Sequence, residues 1–151
     1  MEKLNKKGVT LLELIIVMVI IAIGATLLAP GIGTWIPKFR LRGAARDIVS
    51  TMRTAQMRAV STNMEHQVSF TIGNPNSYIL QRNSGGWINE GAPQTLPTGV
   101  GIAVSTPNFE FNPNSTATGG NVTLNIQKGG QVIGQRIIRV LATTGRIRIE
   151  E

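Results

Sequence analysis

The sequence predicts an α+β protein in which a long N-terminal helix, first transmembrane and then amphipathic, packs on a small antiparallel β domain. Three observations lead there. Residues 9–29 form one apolar run, residues 38–63 carry apolar side chains at three- and four-residue steps, and from Gln67 onward the chain breaks into short β-branched, partly alternating stretches separated by turn residues.

The apolar run comes first. Between Val9 and Ala29 every residue is apolar or small except Thr10, Glu13 and Thr26. At the helical rise these twenty-one residues reach about 31 Å, enough to cross a bilayer. A secretory signal has a shorter apolar core and a small-residue cleavage site behind it, whereas this one is followed by "APGIG". The leader "MEKLNKK" carries Lys3, Lys6 and Lys7, but Lys38, Arg40, Arg42 and Arg46 stand beyond the other end, so counting cations leaves the orientation open.

In "APGIGTWIPKF", Pro30 and Pro37 each remove a backbone donor and Gly31 and Gly33 raise the entropic cost of order, so a kink or break is expected between Pro30 and Pro37. Trp35 has the amphipathic ring that suits a membrane interface. Beyond it, Leu41, Ala45, Ile48, Met52, Ala55 and Ala59 form a single stripe that should face the C-terminal domain. Arg42, Arg46 and Arg53 make a basic ridge beside that stripe; a solvated face with some pairing to Asp47, a contact with neighbouring subunits and a contact with acidic lipid all remain open for it.

The β domain is read from "QVSFTI", "SYILQ", "NFEFN", "NVTLNIQ", "QRIIRVL" and "RIRIE", with turns at "GNPN", "NSGG", "NPNSTATGG" and "KGG". Residues 83–107 read as loop with one strand near Gly101–Ser105. The organisation expected is therefore residues 1–8 as leader, 9–29 as membrane helix, 30–63 as kink and amphipathic helix, and 64–151 as β domain.

Composition excludes several chemistries. The chain has no cysteine, hence no disulfide, thiol nucleophile or cysteine-bound metal. His66, the single histidine, has no metal-ligand spacing around it and reads as a surface or capping residue; Glu90 and Glu110 are isolated. No serine or threonine has an evident base, so no catalytic residue, metal or cofactor is expected. The net charge of +7 favours anionic partners, lipid headgroups or nucleic acid, without choosing between them.

One constellation is narrower than the rest. Gly8 after a short basic leader, then "VTLLELIIVMVIIAI" with Glu13 five residues past that glycine, resembles the class III signal of type IV pilins and type II secretion pseudopilins. The resemblance implies that a prepilin peptidase cuts between Gly8 and Val9 and methylates the new N-terminus at Val9. It also implies that Glu13 acts in assembly. Val9 departs from the phenylalanine most common at that position, whereas Pro30 lies where these helices often carry a proline. A carboxylate within the membrane costs about 2 to 4 kcal/mol unless it has a partner. The freed amine of a neighbouring subunit would supply one, and neutralising both charges would set the register of assembly. The plainer alternative is that Glu13 snorkels to the headgroups or favours the positive end of the helix dipole.

The missing cysteines and the small β domain resemble the minor-subunit group of GspH, FimT and FimU. That resemblance implies a bacterial inner-membrane protein with a single span and a periplasmic C-terminal domain. Its implied partners are other pilins or pseudopilins in a filament and the inner-membrane assembly machinery. Gly145, Arg146 and Arg148 in "TTGRIRIEE" match a Gly-Arg-x-Arg pattern of that group, in whose FimT-type members such arginines bind DNA during uptake. Alternation puts Arg146 and Arg148 on one face, as phosphate binding requires, while Glu150 and Glu151 oppose it. Nucleic acid therefore stays open as an alternative partner.

Overall fold

The structure is a computed structural model that describes residues 9–150, leaving the side chains of residues 27–32 and 34 outside the description. The expected leader, residues 1–8, lies outside the described residues. The chain divides into two compact units, Met1–Trp35 and Ile36–Glu151.

Helix α1 runs from Leu11 to Thr62. Its helical assignment continues through residues 30–37, so of the expected kink or break the break is corrected, while a kink at a proline is compatible with an unbroken helix. Proline's fixed φ of about −65° is itself helical, so each proline costs a hydrogen bond without forcing the backbone out of the helix. From Leu11 to Ile23 the apolar side chains point outward all round, with Leu11 at 78% and Ile20 at 64% exposed. Among the described residues, however, no helix is long and apolar enough to cross a membrane. The expected span of residues 9–29 extends over side chains at 27–29 that are outside the description; the sixteen from Leu11 to Thr26 reach about 24 Å, short of a hydrocarbon core of about 30 Å.

The second unit holds the core. Leu41, Ala45, Ile48, Met52, Ala55 and Ala59 are all buried, as their spacing predicts, and Ala44 and Val49 widen the stripe. Among the described residues nine strands follow: β1 (His66–Thr71), β2 (Ser77–Asn83), β3 (Trp87–Asn89), β4 (Gln94–Thr95), β5 (Val100–Val104), β6 (Asn108–Phe111), β7 (Gly120–Lys128), β8 (Gln131–Val140) and β9 (Ile147–Glu150). They form two antiparallel sheets. Sheet A has the order β3-β2-β1-β6, with β4 also pairing β2, and sheet B the order β5-β7-β8-β9.

Alternation explains how both sheets meet the helix. Val68, Phe70, Leu80, Phe109 and Phe111 of sheet A, and Val122, Leu124, Ile126, Ile138 and Val140 of sheet B, join the helical stripe in one core. Phe70 and Phe109 meet edge to face, with ring centroids 5.9 Å apart. Gly134 lets strand β8 approach the helix closely, because a Cβ there would lie 3.2 Å from Leu41 Cδ2.

Candidate functional site

The N-terminal site begins at Val9, which is 73% exposed; Gly8, the other side of the expected cleavage point, lies outside the described residues. Thr10 caps the helix: its Oγ1 accepts the backbone N–H of Glu13 at 3.2 Å, and its carbonyl accepts that of Leu14 at 3.2 Å. Glu13 thus occupies the third helical position, where a carboxylate faces the positive end of the helix dipole. The Thr-x-x-Glu spacing of a capping box was present in the sequence and identifies Thr10, which the apolar pattern alone passes over. Around these two polar residues the surface is apolar: Val9, Leu11, Leu12, Leu14, Ile15 and Ile16 are all exposed. Charge and cap are therefore concentrated at one end of an outward-facing hydrophobic helix.

At the other end of the chain, Gly145 adopts a positive φ of 60° beside Gln56 and Ser115, and it is buried. Arg146 and Arg148 are exposed and Ile147 between them is buried, so the alternation expected for this segment holds. In the β8–β9 register Arg148 stands opposite Arg139, and the Arg139 guanidinium bonds Glu150 at 3.2 Å. Arg42, Arg46 and Arg53 are exposed on the helix.

One reading from the sequence needs correction. His66 is not a surface residue: it opens β1 on the face that carries Val68 and Phe70 and is 1% exposed. Its Nδ1 lies 3.0 Å from the Met64 carbonyl, to which the ring donates, and its Nε2 lies 3.6 Å from Glu90. Glu90 is gripped by cations, as Arg58 bonds its carboxylate at 2.5 Å and Arg82 approaches at 3.9 Å. These contacts form because β2 and β3 bring residues distant in sequence to the end of the helix, which periodicity does not encode.

A polar cavity lies between the helix and sheet A, lined by Thr51, Thr54, Arg58, Tyr78, Glu90 and Gln94. Its threonines are committed to the helix, Thr51 Oγ1 donating to the Asp47 carbonyl at 3.0 Å and Thr54 Oγ1 to that of Ser50 at 2.9 Å. Burial raises the Tyr78 pKa above its usual 10, the Asp47 carboxylate adds to the rise and a hydrogen bond with Thr51 opposes it. Among the described residues no group of three or more acidic or histidine side chains is arranged to hold a metal.

Residues 3–29 match the prokaryotic N-terminal methylation motif, and residues 44–144 match the type II transport protein GspH. No curated protein sequence matches the chain. The fold is similar to that of the minor pseudopilin EpsH from the Type 2 Secretion System of Vibrio cholerae. That match has a TM-score of 0.64 at 12% identity and covers 74% of this chain and 96% of that one. The type IV minor pilin FimU of Pseudomonas aeruginosa is also similar, with a TM-score of 0.59 at 18% identity, covering 76% of this chain and 90% of that one. A second crystal form of FimU gives a TM-score of 0.54 at 19% identity, over 73% and 92% of the two chains. At these identities the structures speak for the shared fold of helix and antiparallel sheets. The family model covers two thirds of the sequence, and with the methylation motif ahead of it the chain belongs to the GspH family of type IV pilin-like minor pseudopilins.

Proposed function

We propose that the chain is a prepilin cut between Gly8 and Val9 and methylated at Val9. Residues 9–29 then hold it in the inner membrane, with the β domain in the periplasm, until it enters a pseudopilus or pilus through Glu13. It acts as a component of a fibre that does mechanical work, without catalysis.

The observation that carries this reading is Glu13 itself. It is the single acidic residue among residues 9–29, and it sits four positions from the amine that cleavage would create, on a helix whose neighbouring side chains are apolar and outward-facing. A lone ionised carboxylate in such a setting is unfavourable, and a cation on an adjoining subunit offsets that cost while fixing the axial register. Its own amine is held at the start of the same helix, so the partner that assembly supplies is the amine of a neighbour.

Mass spectrometry of the native protein tests the processing step: a polypeptide beginning at N-methylated Val9 is expected, and one beginning at Met1 overturns the proposal. Replacing Glu13 by alanine tests the assembly step. Processing should continue while incorporation into filaments is lost, and normal incorporation would remove the role assigned to the carboxylate.

A further inference from the structure

Arginines that are far apart in the sequence converge on one sheet edge. Strand β9 ends sheet B, and among the described residues no strand pairs with its outer side. Ile149 stands opposite the fully buried Ile138, so it lies on the helix-facing side of the sheet, yet it is 41% exposed. It floors two adjoining depressions, one lined by Arg42 and Arg46 of the helix and Arg136 of β8, the other by Arg46, Arg53 and Met57 of the helix. On the opposite face of the same edge stand Arg146 and Arg148, both exposed. The outer edge of β9, which no strand among the described residues pairs, is thus bracketed by guanidinium groups on both faces.

We propose that this edge accepts an acidic, extended segment of a different protein, which joins sheet B as a fifth strand beside β9. An added strand gains affinity from main-chain hydrogen bonds and specificity from alternate side chains. Side chains turned toward the helix meet Arg46 and Arg53 around the apolar floor of Ile149 and Met57. Those turned outward meet Arg146 and Arg148. Carboxylates are favoured toward the helix and, on the outward face, beside Arg146 and Arg148 and away from Glu150, with an apolar residue over Ile149.

A second copy of this chain is disfavoured as the occupant. Pairing two β9 edges antiparallel in the register that sets Arg146 of one copy opposite Arg148 of the other juxtaposes like charges twice, and like charges directly opposite across a ladder are destabilising. Cations on an edge strand are a common block to self-pairing, and the same cations admit an acidic partner. Nucleic acid fits less well, because the row of outward arginines is interrupted by the Arg139–Glu150 pair and the apolar floor has no use in phosphate binding. The edge belongs to the C-terminal unit and exists whether or not the chain is processed at Gly8.

The test uses the full chain in detergent micelles and a fluorescent heptapeptide, Glu-Glu-Val-Glu-Ile-Glu-Glu. Two controls accompany it: the same peptide N-methylated at alternate backbone amides, and a short oligothymidylate. The plain peptide should bind and slow amide hydrogen exchange in β9. N-methylation, the pair R46E and R53E, or the pair R146E and R148E should each weaken binding by about tenfold or more. Equal binding of the N-methylated peptide, tighter binding of oligothymidylate with the same arginine dependence, or no binding at low salt would each overturn the proposal. Exchange in the unaltered chain reports on β9 without any substitution, so a variant that unfolds does not obscure the outcome.

Discussion

The backbone N–H of Glu13 donates to Oγ1 of Thr10 at 3.2 Å, which makes the acidic residue of the apolar segment part of the helix cap as well as its only negative charge. These two roles are separable. Thr10→Ala removes the cap and should cost the helix about 1 kcal/mol while leaving filament incorporation near normal. Glu13→Gln keeps a polar side chain at the third helical position but removes its charge, and incorporation should fall by about tenfold or more, as expected when one partner of a buried ion pair is lost. Immunoblots of sheared filaments against membrane fractions provide the measurement. If Thr10→Ala abolished incorporation and Glu13→Gln did not, the carboxylate would be a capping residue only.

Met52 and Met57 sit five residues apart on the same helix with opposite environments, the first fully buried and the second 64% exposed. Met52→Ala leaves a cavity among tightly packed neighbours and should cost about 2 to 5 kcal/mol. Met57→Ala should change stability by no more than about 0.5 kcal/mol. Thermal melts of the two variants in the same detergent decide the point, and similar losses would mean that the stripe through Leu41, Ile48 and Met52 does not form the helix–sheet contact.

These contrasts show which parts of the molecule the sequence discloses. The stripe from Leu41 to Ala59 is legible because helical packing selects every third or fourth residue, and β1, β2, β5, β6, β7, β8 and β9 are legible because alternation and β-branching select strands. Strands β3 and β4 are hidden in a stretch rich in proline and glycine: they are three and two residues long and held by pairing to β2, a partner that local composition cannot announce. The helix passes through Pro30 and Pro37 for the converse reason, since a local penalty is outweighed by the turns on either side. At the candidate site the Gly8–Val9–Glu13 spacing could be read directly from sequence. The burial of His66, the grip of Arg58 on Glu90 and the approach of Arg46 to Ile149 depend on long-range topology and could not.

Gly145 shows that part of a short sequence pattern answers to packing. With φ at 60°, a Cβ at this position would lie 2.6 Å from Gln56 Nε2 and 2.7 Å from the Ser115 carbonyl, so the glycine of the Gly-Arg-x-Arg pattern is required by packing. Gly145→Ala should destabilise the fold by about 1 to 3 kcal/mol. Gly86→Ala, where a Cβ meets nothing within 4 Å, is the control and should stay close to wild type. Arg146→Ala and Arg148→Ala, both on the surface, should alter stability by no more than about 0.5 kcal/mol. A melting temperature unchanged in Gly145→Ala would refute the packing role.

Tyr78 gives the fold an alkaline limit that can be watched directly, because it is the chain's one tyrosine. Its ring is 4% exposed, and its hydroxyl donates to Gln94 Oε1 at 2.7 Å, a bond that the phenolate cannot make. Burial is the largest cause of its raised pKa, followed by a lowering through Thr51 and a rise from Asp47. The folded state therefore holds the phenolic proton more tightly than the unfolded chain. Below pH 10 both states keep the proton, and the stabilisation is fully present. As the pH climbs past 10 the unfolded chain releases its proton first, so stability declines until the folded group also titrates. Absorbance at the phenolate band should show a midpoint above 10 in the native protein and a return toward 10 in denaturant. Tyr78→Phe should lose some stability at neutral pH with its hydrogen bond, about 1 kcal/mol, yet show a flatter decline above pH 10. A native midpoint at or below 10 would show that the ring is solvated, and the packing of β2 against the helix would then have to be redrawn.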